Sequence, residues 1–173
     1  MIPTFEIEWT GPYKDVEECD EYNLLYIITG AKQGTDQKRV RYIGKTCHTA
    51  SKRYKDPKHY FNKITEHTRN VWIGRIKYSG SAKKDNSPVS KAEKVFVYYL
   101  SHYGGIRVKL LNKKLTGNPP KYTVGLINRW YNKDSGDEYK KQSFPRNFIP
   151  DFLFWDRSKS TFYSMDKAEI REE

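Results

Sequence analysis

Asn23-Leu24-Leu25-Tyr26-Ile27-Ile28-Thr29 and Arg39-Val40-Arg41-Tyr42-Ile43 decide the fold. Both runs are rich in β-branched, aromatic and leucine side chains, a composition that suits a pleated, half-buried surface. Between them Gly30 to Lys38 includes Gly34 and Asp36, so the runs read as strands of a hairpin with a long loop. Downstream, Thr49 to Asp56 reads as a short basic helix stopped by Pro57, and Tyr60, Phe61 and Ile64 allow a second helical stretch. Val71 to Tyr78 then reads as a third strand, and Ser79 to Pro88 as an exposed loop.

The strongest helical signal is Lys91 to Tyr103. Ala92, Val95, Phe96, Tyr99, Leu100 and Tyr103 recur at helical spacing and make one apolar stripe. Ser90 is the expected N-cap, and Gly104-Gly105 the C-terminal stop. Ser90 to Glu93 also has the form of a capping box. Glu93 lies on the border of the stripe, where a carboxylate can either cap the helix or face a cleft. Beyond Asn118-Pro119-Pro120, Tyr122 to Tyr131 reads as a strand and Phe148 to Met165 as a hairpin around Asp156-Arg157-Ser158-Lys159. This tail is dense in aromatic residues, among them Trp130, Phe152, Phe154 and Trp155, and is expected to fold onto the main unit.

At 173 residues the chain fits one domain with an extension. Cys19 and Cys47 match no metal spacing and are too few for a disulfide framework, which points to a reducing cytoplasm. No apolar run approaches the roughly 18 residues of a membrane span, and Met1 to Tyr13 lacks the pattern of a signal peptide. The net charge of +11 is unevenly spread. Residues 1–21 hold Glu6, Glu8, Asp15, Glu17, Glu18, Asp20 and Glu21 against Lys14 alone, so setting that stretch's −6 aside leaves +17 on the rest. A basic body interleaved with aromatic rings suits a polyanion such as nucleic acid. A membrane surface fits less well, because the positive charge is not gathered on one amphipathic helix.

Several common chemistries are excluded. Gly44-Lys45-Thr46 has only the end of a phosphate loop, without the glycines ahead of it. His48, His59, His67 and His102 show neither zinc spacing nor the setting of a nucleophile. There is no hydrolase elbow and no dinucleotide fingerprint. The pattern that remains is Tyr26 on one strand, Tyr42-Ile43-Gly44-Lys45-Thr46 on the next, Arg53, then Glu93 on the later helix and Asn112 after it. Phenols can handle a proton, a guanidinium can hold a phosphate, and one carboxylate can hold one divalent cation.

This ordered set resembles the GIY-YIG nuclease family over roughly residues 22–115. The match is full at Tyr42-Ile43-Gly44-Lys45-Thr46, and Lys91-Ala92-Glu93 and Leu110-Leu111-Asn112-Lys113 stand in the right order. Two positions depart from the pattern: Leu24 replaces the first motif's glycine, and Pro57 falls where the family often has a histidine. The resemblance implies an α+β sandwich, with a small antiparallel three-stranded sheet flanked by helices. The expected division is an acidic segment 1–21, a nuclease domain 22–115 and an aromatic, basic, β-rich extension 116–173.

The resemblance further implies a metal-dependent endonuclease, of restriction type if site-specific, that hydrolyses phosphodiester bonds of double-stranded DNA. Tyr26 would be the general base, helped by Tyr42 and Lys45. Arg53 would clamp the phosphate, Glu93 would hold one Mg²⁺ or Mn²⁺, and Asn112 would orient backbone or phosphate. Lys52, Lys55, Lys141 and Arg146 are the expected nucleic-acid contacts, and the assembly allows a homodimer. A binding module of the same fold with a slack site, and an RNA-directed nuclease, are the competing readings.

Overall fold

Thr4-Phe5-Glu6-Ile7-Glu8-Trp9-Thr10 alternates apolar and polar residues, the period of a strand with one buried face. In a computed structural model, which describes residues 2–14, 21, 23–35, 37–46, 60–77, 87–105 and 108–166, this stretch is indeed a strand, β1 (Thr4–Tyr13). It is followed by β2 (Leu24–Gly30), β3 (Arg39–Thr46), β4 (Asn70–Lys77), helix α1 (Ser87–Tyr103), β5 (Val124–Asn132), β6 (Phe152–Asp156) and β7 (Thr161–Met165).

The seven strands form one curled sheet in the order β3-β2-β4-β1-β5-β6-β7. Neighbours are antiparallel except β1 and β5, which run parallel. The expected sandwich built on three strands is therefore corrected: strand outweighs helix, 43% against 19%, and α1 is the one α-helix among the described residues. The cause is β1. It pairs with β4 on one side and β5 on the other, so the sheet continues past β4 into the C-terminal strands.

Alternation gives the sheet two different faces. Phe5, Ile7 and Trp9 of β1 join Leu25, Ile27, Val40, Ile43, Trp72, Leu126, Trp130, Leu153 and Trp155 on one side. Helix α1 covers this side with Val89, Ala92, Val95, Phe96 and Leu100. Trp9 is fully buried, stacked on Trp130 at 5.2 Å and edge-on to Phe96 at 5.7 Å. Its indole N–H donates to Asn128 Oδ1 at 2.9 Å, which satisfies a polar group that would otherwise be costly to bury. The opposite side carries a smaller cluster of Leu24, Tyr26, Ile28, Ile64, Val71 and Ile73, with Tyr13, Tyr42, Phe61 and Leu111 at its margin. Beyond that cluster the same side is charged, with Lys77 bridging Glu6 and Glu8, and Arg129 paired to Glu6.

Arg146 belongs to the interior, contrary to its expected place on a DNA-facing surface. It is 7% exposed, paired to Asp151 at 3.5 Å and to Glu138 at 3.2 Å. Lys141 is similarly engaged, bonded to the Ile149 carbonyl and paired to Asp166 at 2.7 Å. Removing one partner of a buried pair strands the other charge. Arg146→Ala is therefore expected to lower the unfolding free energy by about 3–5 kcal/mol in urea denaturation. A loss below about 0.5 kcal/mol would mark Arg146 as an ordinary surface cation.

Candidate functional site

Tyr26 and Tyr42 meet because β2 and β3 pair in antiparallel register, with Tyr26 opposite Gly44 and Ile28 opposite Tyr42. The two rings lie on the same face and stack with centroids 5.8 Å apart and planes 20° from parallel. Gly44 makes this possible. A Cβ there would stand 2.7 Å from the Tyr26 hydroxyl and 2.6 Å from the Tyr42 ring, inside any tolerable contact. The tyrosine-isoleucine-glycine order thus has a steric cause: the glycine leaves room for the phenol of the neighbouring strand. Tyr26 is 1% exposed and Tyr42 is half-buried.

Asn112 holds the edge next to this pair. Its amide donates to the Ile43 carbonyl at 2.7 Å and accepts from the Ile43 N–H at 3.2 Å, taking the place of a neighbouring peptide. Lys109 N–H and Leu111 N–H donate to the carbonyls of Val40 and Arg41. The segment from Val108 to Asn112 therefore satisfies the outer edge of β3 and fixes the residue between Tyr42 and Gly44. Arg41, absent from the sequence-level set, sits at the irregularity between β2 and β3 and donates to Gly30 and Gln37 carbonyls, which ties down the long loop.

Lys45 lies on the other side of the sheet. Residues three apart on a strand face opposite ways, so Lys45 leaves the tyrosines and donates to Ser90 Oγ on α1. That bond also corrects the expected cap. Helix α1 begins at Ser87, with Pro88 in its first turn where proline is well tolerated, so Ser90 is already inside the helix. Glu93 stands one turn further, half-buried, and is thereby released from the N3 position of a capping box. Its charge is felt by Tyr122, whose phenol is pushed up to about 12, first by burial and second by Glu93. The Tyr122 hydroxyl donates to the Lys91 carbonyl at 3.0 Å, and the Lys91 ammonium lies 5.7 Å from the Tyr122 ring centre.

The sheet thus separates two half-sites, Tyr26, Tyr42 and Gly44 on one face and Lys45, Ser90, Glu93 and Tyr122 on the helix side, with Asn112 on the edge. Lys52, Arg53 and Lys55 lie outside the described residues. A guanidinium that sequence reading missed, Arg75, sits on the tyrosine face two residues from Ile73, the cross-strand partner of Tyr26. It makes a two-pronged pair with Glu21 at 2.7 and 2.8 Å and also donates to Thr10. Its signal was the strand period counted on from Val71 and Ile73. No group of three or more His, Cys, Asp or Glu side chains suited to a metal occurs among the described residues, and no helix there is long and apolar enough to cross a membrane. No protein-family model, curated protein or solved structure matches this chain.

Tyr122 gives a direct test of this geometry. Between pH about 10, where an unfolded tyrosine ionises, and about 12, the unfolded chain has lost a proton that the native state keeps. The contribution is complete below pH about 10, and stability falls as pH rises through that window. By ¹³C NMR of labelled tyrosine, one resonance is expected to titrate near 12 and to vanish in Tyr122→Phe. Glu93→Gln should move that midpoint downward; an unmoved midpoint would separate Glu93 from Tyr122.

Proposed function

We propose that this chain is a divalent-cation-dependent endonuclease of GIY-YIG type that hydrolyses phosphodiester bonds in double-stranded DNA. The observation that carries the reading is the unit formed by Tyr26, Tyr42 and Gly44. Three positions of the ordered pattern, set on two strands, meet in one contact that fails if a side chain replaces the glycine hydrogen. The strand edge beside that unit is held by Asn112, a fourth member of the pattern.

In this reading Tyr26 Oη takes the proton from the attacking water as the new P–O bond forms and the bond to the leaving 3′ oxygen breaks. A phenol with a normal pKa near 10 needs nearby positive charge or a polarised water to act at neutral pH. Lys45 is turned to the helix side, away from both phenols, and neutralises backbone phosphate there rather than the phosphate attacked beside Tyr26. Arg53 clamps the non-bridging oxygens. Glu93, a single half-buried carboxylate, fits a hard cation that keeps most of its waters and needs no protein cage. A Mg²⁺ or Mn²⁺ held there would supply charge neutralisation to the DNA backbone on the helix side of the sheet. Site-specific cutting, a homodimer and a cytosolic setting belong to the same proposal; the last fits the pair of cysteines, Cys19 and Cys47.

The test is cleavage of supercoiled plasmid with Mg²⁺, with and without EDTA. Wild type is expected to nick or linearise the plasmid only with the cation, and Glu93→Gln to abolish cleavage while DNA binding survives. Tyr26→Phe, which deletes one hydroxyl from a buried ring, is expected to cost at least about a hundredfold in rate. A folded Tyr26→Phe variant that cuts at wild-type speed would make the phenol a packing residue. Binding without any cleavage under every cation tried would favour the binding module.

A further inference from the structure

Ion pairing separates the described cations into those that meet a carboxylate and those that do not. Arg75, Lys77, Arg129, Lys133, Lys141 and Arg146 each meet a carboxylate. Among the described cations that enter no ion pair are Lys45, Lys91, Lys94, Lys113, Lys114 and Lys121.

These six are gathered by the fold. Lys45 reaches Ser90 in the first turns of α1. Lys94 donates to the Leu115 carbonyl at 3.0 Å, which brings Lys113 and Lys114 beside the helix. Tyr122 bonds the Lys91 carbonyl and lies under its ammonium, which brings Lys121 to the same end. Lys113, Lys114 and Lys121 are exposed. In the stretches that supply these lysines, 43–46, 87–94 and 112–122, the one carboxylate is Glu93.

We infer that this lysine collar around the N-terminal half of α1 is the surface that takes the phosphate backbone of a nucleic acid and leads it past Glu93. The choice of nucleic acid among polyanions rests on the nuclease reading; the collar itself rests on the contacts above. Lysines on long stems act as point charges, suited to neutralising phosphates without reading bases. A membrane surface is a poorer occupant, because the apolar stripe of α1 is buried in the core and cannot enter lipid. The collar replaces Lys141 and Arg146, whose charge is already spent internally.

The experiment is fluorescence anisotropy of a short labelled duplex, titrated with protein across a range of salt in EDTA, with cleavage of the same duplex measured separately in Mg²⁺. Each lost phosphate contact lowers the slope of log K against log salt by about 0.9. The triple variant Lys113→Gln, Lys114→Gln, Lys121→Gln is therefore expected to lose about 2 to 3 units of slope and to bind at least about tenfold more weakly at low salt. A control of equal formal charge, Lys77→Gln, Arg129→Gln, Lys133→Gln, should keep the slope, and thermal melts would confirm that both remain folded. An unchanged slope in the first triple, or equal losses in the two, overturns the collar, as does capture by anionic vesicles without duplex binding. Slope loss in a protein that never cuts leaves the collar standing and removes the nuclease.

Discussion

Trp9 and the strand that carries it hold the molecule together. Among the described strands β1 alone joins β4 to β5, so the sheet runs from the β2–β3 hairpin to the C-terminal strands through it. At its centre the Trp9 ring lies across Gly74 on β4, where a Cβ would come within 2.7 Å of it, and stacks on Trp130 of β5. The helix closes over the same ring through Phe96. Truncating a buried tryptophan of this kind costs about 3–5 kcal/mol, a large share of the stability of a typical domain.

The same device recurs twice. Gly11 lies under the Trp72 ring, and Gly44 under the Tyr26 phenol, each with a built Cβ inside 3 Å of aromatic atoms. A strand glycine normally weakens a sheet, and an aromatic ring from the next strand covers the gap it leaves. Core and candidate site are therefore made by one rule. All three covering rings are buried, Trp9 and Trp72 in the helix-side cluster and Tyr26 in the smaller one, where it carries a hydroxyl and stacks on half-buried Tyr42. Asn112 completes the arrangement by bonding the peptide between Tyr42 and Gly44.

Much of this was legible in the sequence. The strands around Tyr26, Tyr42 and Ile73, the strand after Tyr122, the hairpin turning at Asp156 to Lys159 and the helix stripe from Ala92 to Tyr103 all follow from period and turn chemistry. β1 was hidden behind its charge. Glu6 and Glu8 marked the stretch as an acidic segment, although Phe5, Ile7 and Trp9 alternate with them at strand period. The architecture turns on that strand, and pairing partners far apart in sequence leave no local trace. The helix starts earlier than the capping pattern at Ser90 predicts for a local reason, since Pro88 already suits the first turn. Lys45 could have been assigned its face by parity alone. The burial of Arg146 could not, since its partner Asp151 is brought near by the turn through Ile149.

Amide hydrogen exchange followed residue by residue tests the central role of β1 most directly. If this strand is the seam of one continuous sheet, the amides of Ile7 and Trp9 should exchange only through global unfolding, with protection equal to that of Ile27 in β2 and Leu126 in β5. Fast exchange in β1, with β2 and β5 still protected, would show a sheet that stands without its N-terminal strand and would contradict the account.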